Sequence, residues 1–152
     1  MHPASVREDT IVQQIDIAAP AAKIFAALTD PRELLAWWAA EGRFRATHVD
    51  TDPRPGGLWR MHVVSERAIS PAVTIVHGVY RVVEPPHLLI YSWIREEDDR
   101  TETLVRWDLE ESRGITTVRI THSGLVTEHL RNRNNGWPLV ITLLKAFVEQ
   151  PA

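Results

Sequence analysis

The residue with the clearest capacity for chemistry is His122, at the end of an alternating apolar segment, 115–122. An imidazole titrates near neutral pH, so it can donate, accept or transfer a proton. Because strand side chains alternate, Val118, Ile120 and His122 share one face. His122 is then either an acid or base beside a cavity, or a histidine that fixes the Ser123-Gly124 turn by hydrogen bonding. The sequence favours the turn role.

Aromatic side chains form the second group of interest. The chain contains 6 tryptophans and 2 tyrosines, and each brings an N–H or O–H that needs a partner when buried. Several of them around one cavity would supply oriented donors in an apolar space, which suits a hydrophobic ligand with a hydroxyl or carbonyl group. With their aliphatic neighbours, the predicted ligand-binding residues are Trp37, Trp38, Trp59, Met61, Tyr80, Tyr91, Trp93, Trp107, His122, Trp137, Val140, Ile141 and Leu144.

Other chemistries find little support in the sequence. The chain has no cysteine, which excludes disulfides, thiolate catalysis and the common zinc–thiolate sites. There is no serine-hydrolase elbow, and no two histidines stand at helical ligand spacing, so neither a metal nor a cofactor is predicted. The acidic segment 96–99 lacks the EF-hand pattern and predicts a solvated hairpin tip. A net charge of -3 argues against nucleic acid as a partner.

The elements that position these residues can be predicted from periodicity. Even spacing of Ile11, Ile15 and Ile17 predicts a first strand. Pro20 then opens a short helix, and Asp30 and Pro31 open a second one as N-cap and first helical residue. Six alternating segments separated by turn residues follow and predict an antiparallel sheet: 43–49, 58–64, 73–83, 88–94, 103–109 and 115–122.

The C-terminal segment 126–148 changes to helical periodicity and carries one broad apolar stripe. Pro138 either starts the regular helix or kinks it, so 134–136 is predicted to be a weak point beside the cavity mouth. Arg131 and Arg133 lie near the start of this helix, where they are either simply exposed or available to an anionic ligand group.

The adjacent pair Trp37 and Trp38 falls on the second short helix. Adjacent helical residues cannot both face inward, so we expect Trp38 in the core and Trp37 nearer the mouth or the surface.

Together these elements predict one α+β domain over 1–152, with an ordered core of about 10–149. A curved antiparallel sheet of six to seven strands wraps around the long C-terminal helix, and two short helices follow the first strand. A sheet bent in this way leaves a cavity between sheet and helix. No apolar run is long enough to span a membrane and no signal region is evident, which predicts a soluble, cytoplasmic protein.

Four local patterns give the chain a resemblance to a known family, from about 10 to 148. They are Leu28-Thr29-Asp30-Pro31 leading to Trp37-Trp38, Arg54-Pro55-Gly56-Gly57 leading to Trp59, Thr121-His122-Ser123-Gly124-Leu125, and Gly136-Trp137-Pro138. In this combination the chain resembles the Aha1 C-terminal-like (activator of Hsp90 ATPase homologue 1-like) branch of the START/Bet v 1 superfamily. The resemblance implies the helix-grip fold, and its members look like ligand carriers, polyketide cyclases, enediyne self-resistance proteins and a co-chaperone domain.

Three functions stay open at this stage. The sequence favours a non-enzymatic protein that binds or carries a small hydrophobic molecule, aromatic, polyketide-like or lipid-like. The second is a polyketide cyclase or dehydratase that uses His122 as acid or base, assisted by Tyr80 or Tyr91. The third is a protein-interaction module like the co-chaperone, for which a chaperone partner is less expected because the chain lacks the separate N-terminal domain that the eukaryotic co-chaperone carries. A homodimer is left open.

Overall fold

The computed structural model describes residues 9–66, 72–97 and 100–151. Within these ranges, each segment predicted as a strand from its alternating pattern forms a strand, and each segment predicted as helical forms one or more helices. The elements are β1 (Ile11–Ile17), α1 (Ala21–Thr29), α2 (Pro31–Trp37), β2 (Ala39–Ala40), β3 (Phe44–Thr51), β4 (Leu58–Ser65), β5 (Ala72–Glu84), β6 (Leu88–Arg95), β7 (Thr103–Ser112), β8 (Ile115–Ser123), α3 (Glu128–Arg133) and α4 (Trp137–Val148).

One antiparallel sheet of 8 strands holds all of these strands in the order β1-β8-β7-β6-β5-β4-β3-β2. Strands that follow one another along the chain from β2 to β8 pair directly, and β1 joins the far edge beside β8. Register shifts between Ala46 and His48 and between Tyr80 and Val82 are bulges, which bend the strands. The predicted helix-grip architecture is confirmed. The predicted count of six to seven strands was too low because the two residues of β2 are too few to show alternation.

The inner face of the curved sheet packs against α4 and α1. Trp107, Ile120 and Leu144 have no solvent exposure, and the apolar stripe of α4 meets the sheet through Trp137, Val140 and Leu144. This packing holds the first turn of α4 against the inner face of the sheet.

The segment predicted as one helix over 126–148 is two helices, so that prediction was wrong in its extent. Thr127 caps α3 by accepting a hydrogen bond from the backbone N–H of Leu130 at 3.1 Å. Asn134 ends α3, and α4 begins at Trp137 with Pro138 in its first turn, where proline costs no hydrogen bond. Pro138 therefore starts a helix instead of kinking one, and 134–136 separates the two helices. Among the described residues, none of the helices has the length and apolar character needed to cross a bilayer.

Asp30 joins α1 to α2 as predicted. It ends α1, and its Oδ1 accepts a hydrogen bond from the backbone N–H of Arg32 at 2.8 Å as the N-cap of α2. Pro31 occupies the first position of α2.

We expect Asp30→Ala to lower the free energy of unfolding by about 1 kcal/mol, because the first turn of α2 loses its side-chain acceptor. Asp30→Asn keeps an acceptor oxygen at the same position and serves as the matched control, with wild-type stability within about 0.5 kcal/mol. Urea unfolding monitored by tryptophan fluorescence measures both. Equal stability of Asp30→Ala and wild type would show that the cap contributes nothing.

Candidate ligand-binding cavity

A cavity of about 220 Å³ lies between β3 to β6 and the junction of α3 with α4. Strand alternation supplies most of its wall, and the two helix ends supply the rest. Its lining is mainly apolar and aromatic, with polar groups at one end. The lining residues are Trp38, Phe44, Met61, Val63, Ser65, Thr74, Val76, Trp93, Arg95, Arg133, Asn134, Gly136, Trp137 and Val140.

A second space adjoins the cavity at the helix junction. We call this space, of about 410 Å³, the outer groove. It shares Phe44, Ser65 and Gly136 with the cavity, so the two adjoin at these residues. The remaining residues of the outer groove are Arg43, Asn135, Pro138 and Leu139.

Three indole rings, which we call the tryptophan cluster, form the aromatic wall of the cavity. Trp93 and Trp137 have ring centroids 5.4 Å apart, and Trp38 lies 6.0 Å from Trp137 and 6.3 Å from Trp93. The rings are tilted or edge-on to one another, which is the arrangement that their quadrupoles favour. The cluster therefore offers a preformed surface for a flat apolar group.

The indole N–H groups of most tryptophans are already bonded within the protein. The acceptors are the carbonyl of Ala27 for Trp37 (2.8 Å), the carbonyl of Ser92 for Trp59 (3.0 Å), Oδ1 of Asn134 for Trp93 (3.1 Å), the hydroxyl of Tyr91 for Trp107 (3.0 Å) and Nδ1 of His122 for Trp137 (3.0 Å). An indole has a single donor and no acceptor. The expectation that these five tryptophans would supply donors to a ligand is therefore wrong, and Trp93 and Trp137 present ring surfaces to the cavity instead.

His122 lies behind the tryptophan cluster and has no solvent exposure. Its Nδ1 accepts the N–H of Trp137, so the ring proton must be on Nε2, which lies 2.7 Å from Oγ1 of Thr103. The Thr103 hydroxyl in turn donates to the carbonyl of Trp93 at 2.9 Å. Burial, assisted by the positive charge of Arg95, lowers the pKa of His122 to about 3.

This arrangement gives His122 a structural role. Both of its nitrogens are bonded to protein groups, so it has no lone pair and no proton to offer a substrate, and it stays neutral at physiological pH. The expectation that it fixes the Ser123-Gly124 turn was also wrong, because its partners are Thr103 and Trp137. His122 instead ties the start of α4 to the inner face of the sheet.

Comparison with known proteins agrees with this architecture. The family model described as "Activator of Hsp90 ATPase homolog 1-like protein" matches residues 18–149. The chain belongs to this family. A search of curated proteins finds no match.

Solved structures of similar fold come from several bacteria. Protein CV1439 from Chromobacterium violaceum has a TM-score of 0.80 at 22% identity, over 93% of this chain and 99% of that one. A protein from Rhodobacter sphaeroides has a TM-score of 0.76 at 25% identity, over 93% and 90%. The AHSA1-like protein from Aeromonas hydrophila has a TM-score of 0.69 at 22% identity, over 91% and 92%. These likenesses support the fold that the AHSA1-like family shares.

In this AHSA1-like chain the two tyrosines lie apart from the main cavity. Tyr80 and Tyr91 line a separate void of about 20 Å³ with Trp59 and part of the tryptophan cluster, which is about the space of one water molecule. Burial is the main cause that raises the pKa of both phenols far above the usual value. Both stay protonated at neutral pH, and the structure gives no support to their predicted catalytic assistance.

The predicted binding residues divide into three groups. Trp38, Met61, Trp93, Trp137 and Val140 line the cavity, while Trp59, Tyr80 and Tyr91 line the small void. The others, Trp37, Trp107, His122, Ile141 and Leu144, are buried in the core. Whether the lining residues bind a ligand stays a prediction.

Trp37 was expected near the mouth, and this expectation is wrong. Trp37 is 3% exposed and Trp38 8% exposed. Both can be buried because α2 ends at Trp37, and Trp38 leaves the helix with φ -80 and ψ 68. The rule that adjacent helical residues face different ways does not apply across a helix end.

The polar end of the cavity was only partly anticipated. Arg133 lines the cavity, whereas Arg131 donates to the carbonyl of Leu125 at 2.9 Å. Ser65, Thr74, Val76 and Arg95 were missed, together with Phe44. The sequence did contain the signal for the first four. Each lies an even number of residues from a predicted inward residue of its own strand, as Arg95 lies two residues after Trp93, so both share one face.

Of the predicted acidic hairpin tip 96–99, Asp98 and Asp99 lie outside the described residues. Glu96 and Glu97 are described, and both form ion pairs. Glu97 contacts Arg95 at 3.6 Å and Arg133 at 3.3 Å, whereas Glu96 contacts Arg60 at 3.1 Å and His77 at 3.5 Å. The adjacent carboxylates therefore interact with different groups, and it is Glu97 whose partners, Arg95 and Arg133, line the cavity.

Proposed function

We propose that this protein binds a small, mostly apolar molecule in the cavity, as a binding or carrier protein. The observation that carries the proposal is an aromatic wall, the tryptophan cluster, facing a space of about 220 Å³ with polar groups at one end. Ligand sites are typically concave and apolar with a few polar groups that fix orientation.

The volume limits the size of the ligand. Pockets for drug-sized ligands measure about 300–1,000 Å³, so the cavity itself suits a smaller molecule with one or two rings. A longer ligand would extend past Phe44 and Gly136 into the outer groove, which adjoins the cavity there.

The lining favours binding over catalysis. Among the described lining residues, the charged side chains are Arg95 and Arg133, and a guanidinium keeps its proton at any physiological pH. General acid–base chemistry needs a group that titrates near the working pH. His122, the candidate for such a role, has both ring nitrogens bonded within the core.

The test uses a neutral two-ring probe, naphthalene-2-carboxamide, titrated into the protein while tryptophan fluorescence is recorded. We expect saturable quenching in wild type, because the probe would contact the tryptophan cluster directly. Val76→Phe should weaken binding at least tenfold, because the larger side chain at this 2% exposed position fills the cavity.

Val73→Phe is the matched control. It makes the same change on the same strand at a position that is 55% exposed, and we expect wild-type affinity. Equal affinity in Val76→Phe and wild type would place the probe on the surface and refute the proposal, as would the failure of wild type to bind either this probe or the corresponding carboxylate, naphthalene-2-carboxylate.

A further inference from the structure

We propose that the ligand is an anionic amphiphile, with a flat apolar body against the tryptophan cluster and a carboxylate held by Arg95 and Arg133. The carboxylate of Glu97 competes with the ligand carboxylate for these two arginines. This inference rests on the proposed function and specifies the class of ligand for the same cavity.

The first support is the distribution of charge. The chain as a whole carries a net charge of -3. Among the described residues that line the cavity and the outer groove, however, the charged ones are Arg43, Arg95 and Arg133, and no carboxylate lines either space. Positive groups beside a low-dielectric aromatic wall attract anions more strongly than the same groups would in open water.

The second support is the way in which Glu97 interacts with the two arginines. One oxygen, Oε2 of Glu97, lies 3.6 Å from Nη2 of Arg95 and 3.3 Å from Nη2 of Arg133. The two guanidinium groups are thus spaced so that a single carboxylate oxygen reaches both. A ligand carboxylate can take the same position, since arginine matches carboxylates well.

The third support is that Glu97 can be exchanged at low cost. The side chains of Glu97 and Arg133 are 32% and 39% exposed, and ion pairs exposed to this degree contribute little to stability. Arg95 is less exposed, at 18%, but its contact with Glu97 is longer, at 3.6 Å. A ligand carboxylate replaces this weak pair while the attached apolar body gains contact with the indole rings. The exchange therefore favours the ligand over Glu97.

The fourth support concerns the length of the ligand. Trp93 and Arg95 are two residues apart on the inner face of β6, a separation of about 7 Å along a strand. A two-ring aromatic acid spans this distance, so its ring system can lie on Trp93 while its carboxylate reaches Arg95. A cation or a neutral molecule of the same shape would lack this second contact.

The experiment compares naphthalene-2-carboxylate with naphthalene-2-carboxamide, two probes of nearly the same shape that differ in charge. We expect wild type to bind the carboxylate at least tenfold more tightly at low salt, and the preference to shrink as salt is added. Arg133→Gln and Arg95→Gln should each reduce the preference severalfold. Arg133→Gln is informative even if Arg95→Gln fails to fold, because the Arg133 side chain is 39% exposed.

Removal of the Glu97 carboxylate should change the affinity for the carboxylate probe in the opposite direction to the arginine substitutions. Glu97→Gln should tighten binding of the carboxylate about threefold or more, while Glu96→Gln should leave it unchanged because Glu96 contacts Arg60 and His77. Equal affinity for the two probes in wild type, or a preference that survives both arginine substitutions, would overturn this inference and leave the proposed function standing. Failure of both probes to bind would instead overturn the proposed function.

Discussion

Acidification from pH 6.5 to pH 4 is expected to lower the free energy of unfolding by about 3 kcal/mol through His122 alone. The pKa of His122 is about 3 in the folded protein, against an ordinary value of 6.5. Between these values the unfolded chain binds a proton that the folded chain does not. The stabilisation is therefore complete above about pH 6.5 and is lost progressively as the pH falls towards 3. This is a large part of a typical total of about 5–15 kcal/mol.

The measurement is urea unfolding at pH 7, 6, 5 and 4 for wild type and His122→Gln. The amide cannot titrate, so the variant should lose less stability over this range than wild type, even though it starts lower at pH 7. His87→Gln removes an exposed histidine and should follow the wild-type decline. If His122→Gln declined as steeply as wild type, His122 would not be the group that links stability to pH.

A second large effect is expected from Gly78→Ala, which should lower the free energy of unfolding by about 3 kcal/mol. A Cβ atom at Gly78 would lie 1.9 Å from the backbone oxygen of Ser92 and 2.8 Å from its hydroxyl. That backbone oxygen accepts the indole N–H of Trp59, and the hydroxyl accepts the backbone N–H of Val79. To make room, β5 and β6 must separate, which disturbs the strands that carry the aromatic wall.

Thermal and urea unfolding of the purified variant test this expectation. Gly136→Ala is the matched control, because a Cβ at Gly136 would meet no atom within 4 Å and its φ of -84 suits any residue. We expect the control to stay within about 1 kcal/mol of wild type. Wild-type stability of Gly78→Ala would mean that the two strands are not held as closely as described.

Periodicity was sufficient to predict the sheet and the inward position of its main aromatic residues. Trp93, Trp107 and His122 all have buried side chains, as alternation indicated. This works because a strand with one buried face constrains every second residue. Pro138 and its neighbours likewise indicated where the C-terminal segment is weakest.

The features that were missed depend on contacts between distant parts of the chain. The role of His122 is set by Thr103 and Trp137, which lie 19 and 15 residues away in sequence. The burial of Trp37 depends on where α2 ends, and its N–H bonds to Ala27 of the preceding helix. No local sequence pattern contains such partners. The sequence therefore predicted which residues lie near the site better than it predicted what each of them does there.

The commitment of the indole N–H groups to protein acceptors has a consequence for how ligand choice can evolve. In the proposed mode of binding, Trp93 and Trp137 offer a ligand ring surfaces that accept many flat molecules, and their own hydrogen bonds serve the fold. Under the same proposal, selection among those molecules falls to Arg95, Arg133 and Glu97, at the end of a strand, the end of a short helix and a turn. Substitutions at these three positions can redirect the protein to a new ligand without rebuilding its core.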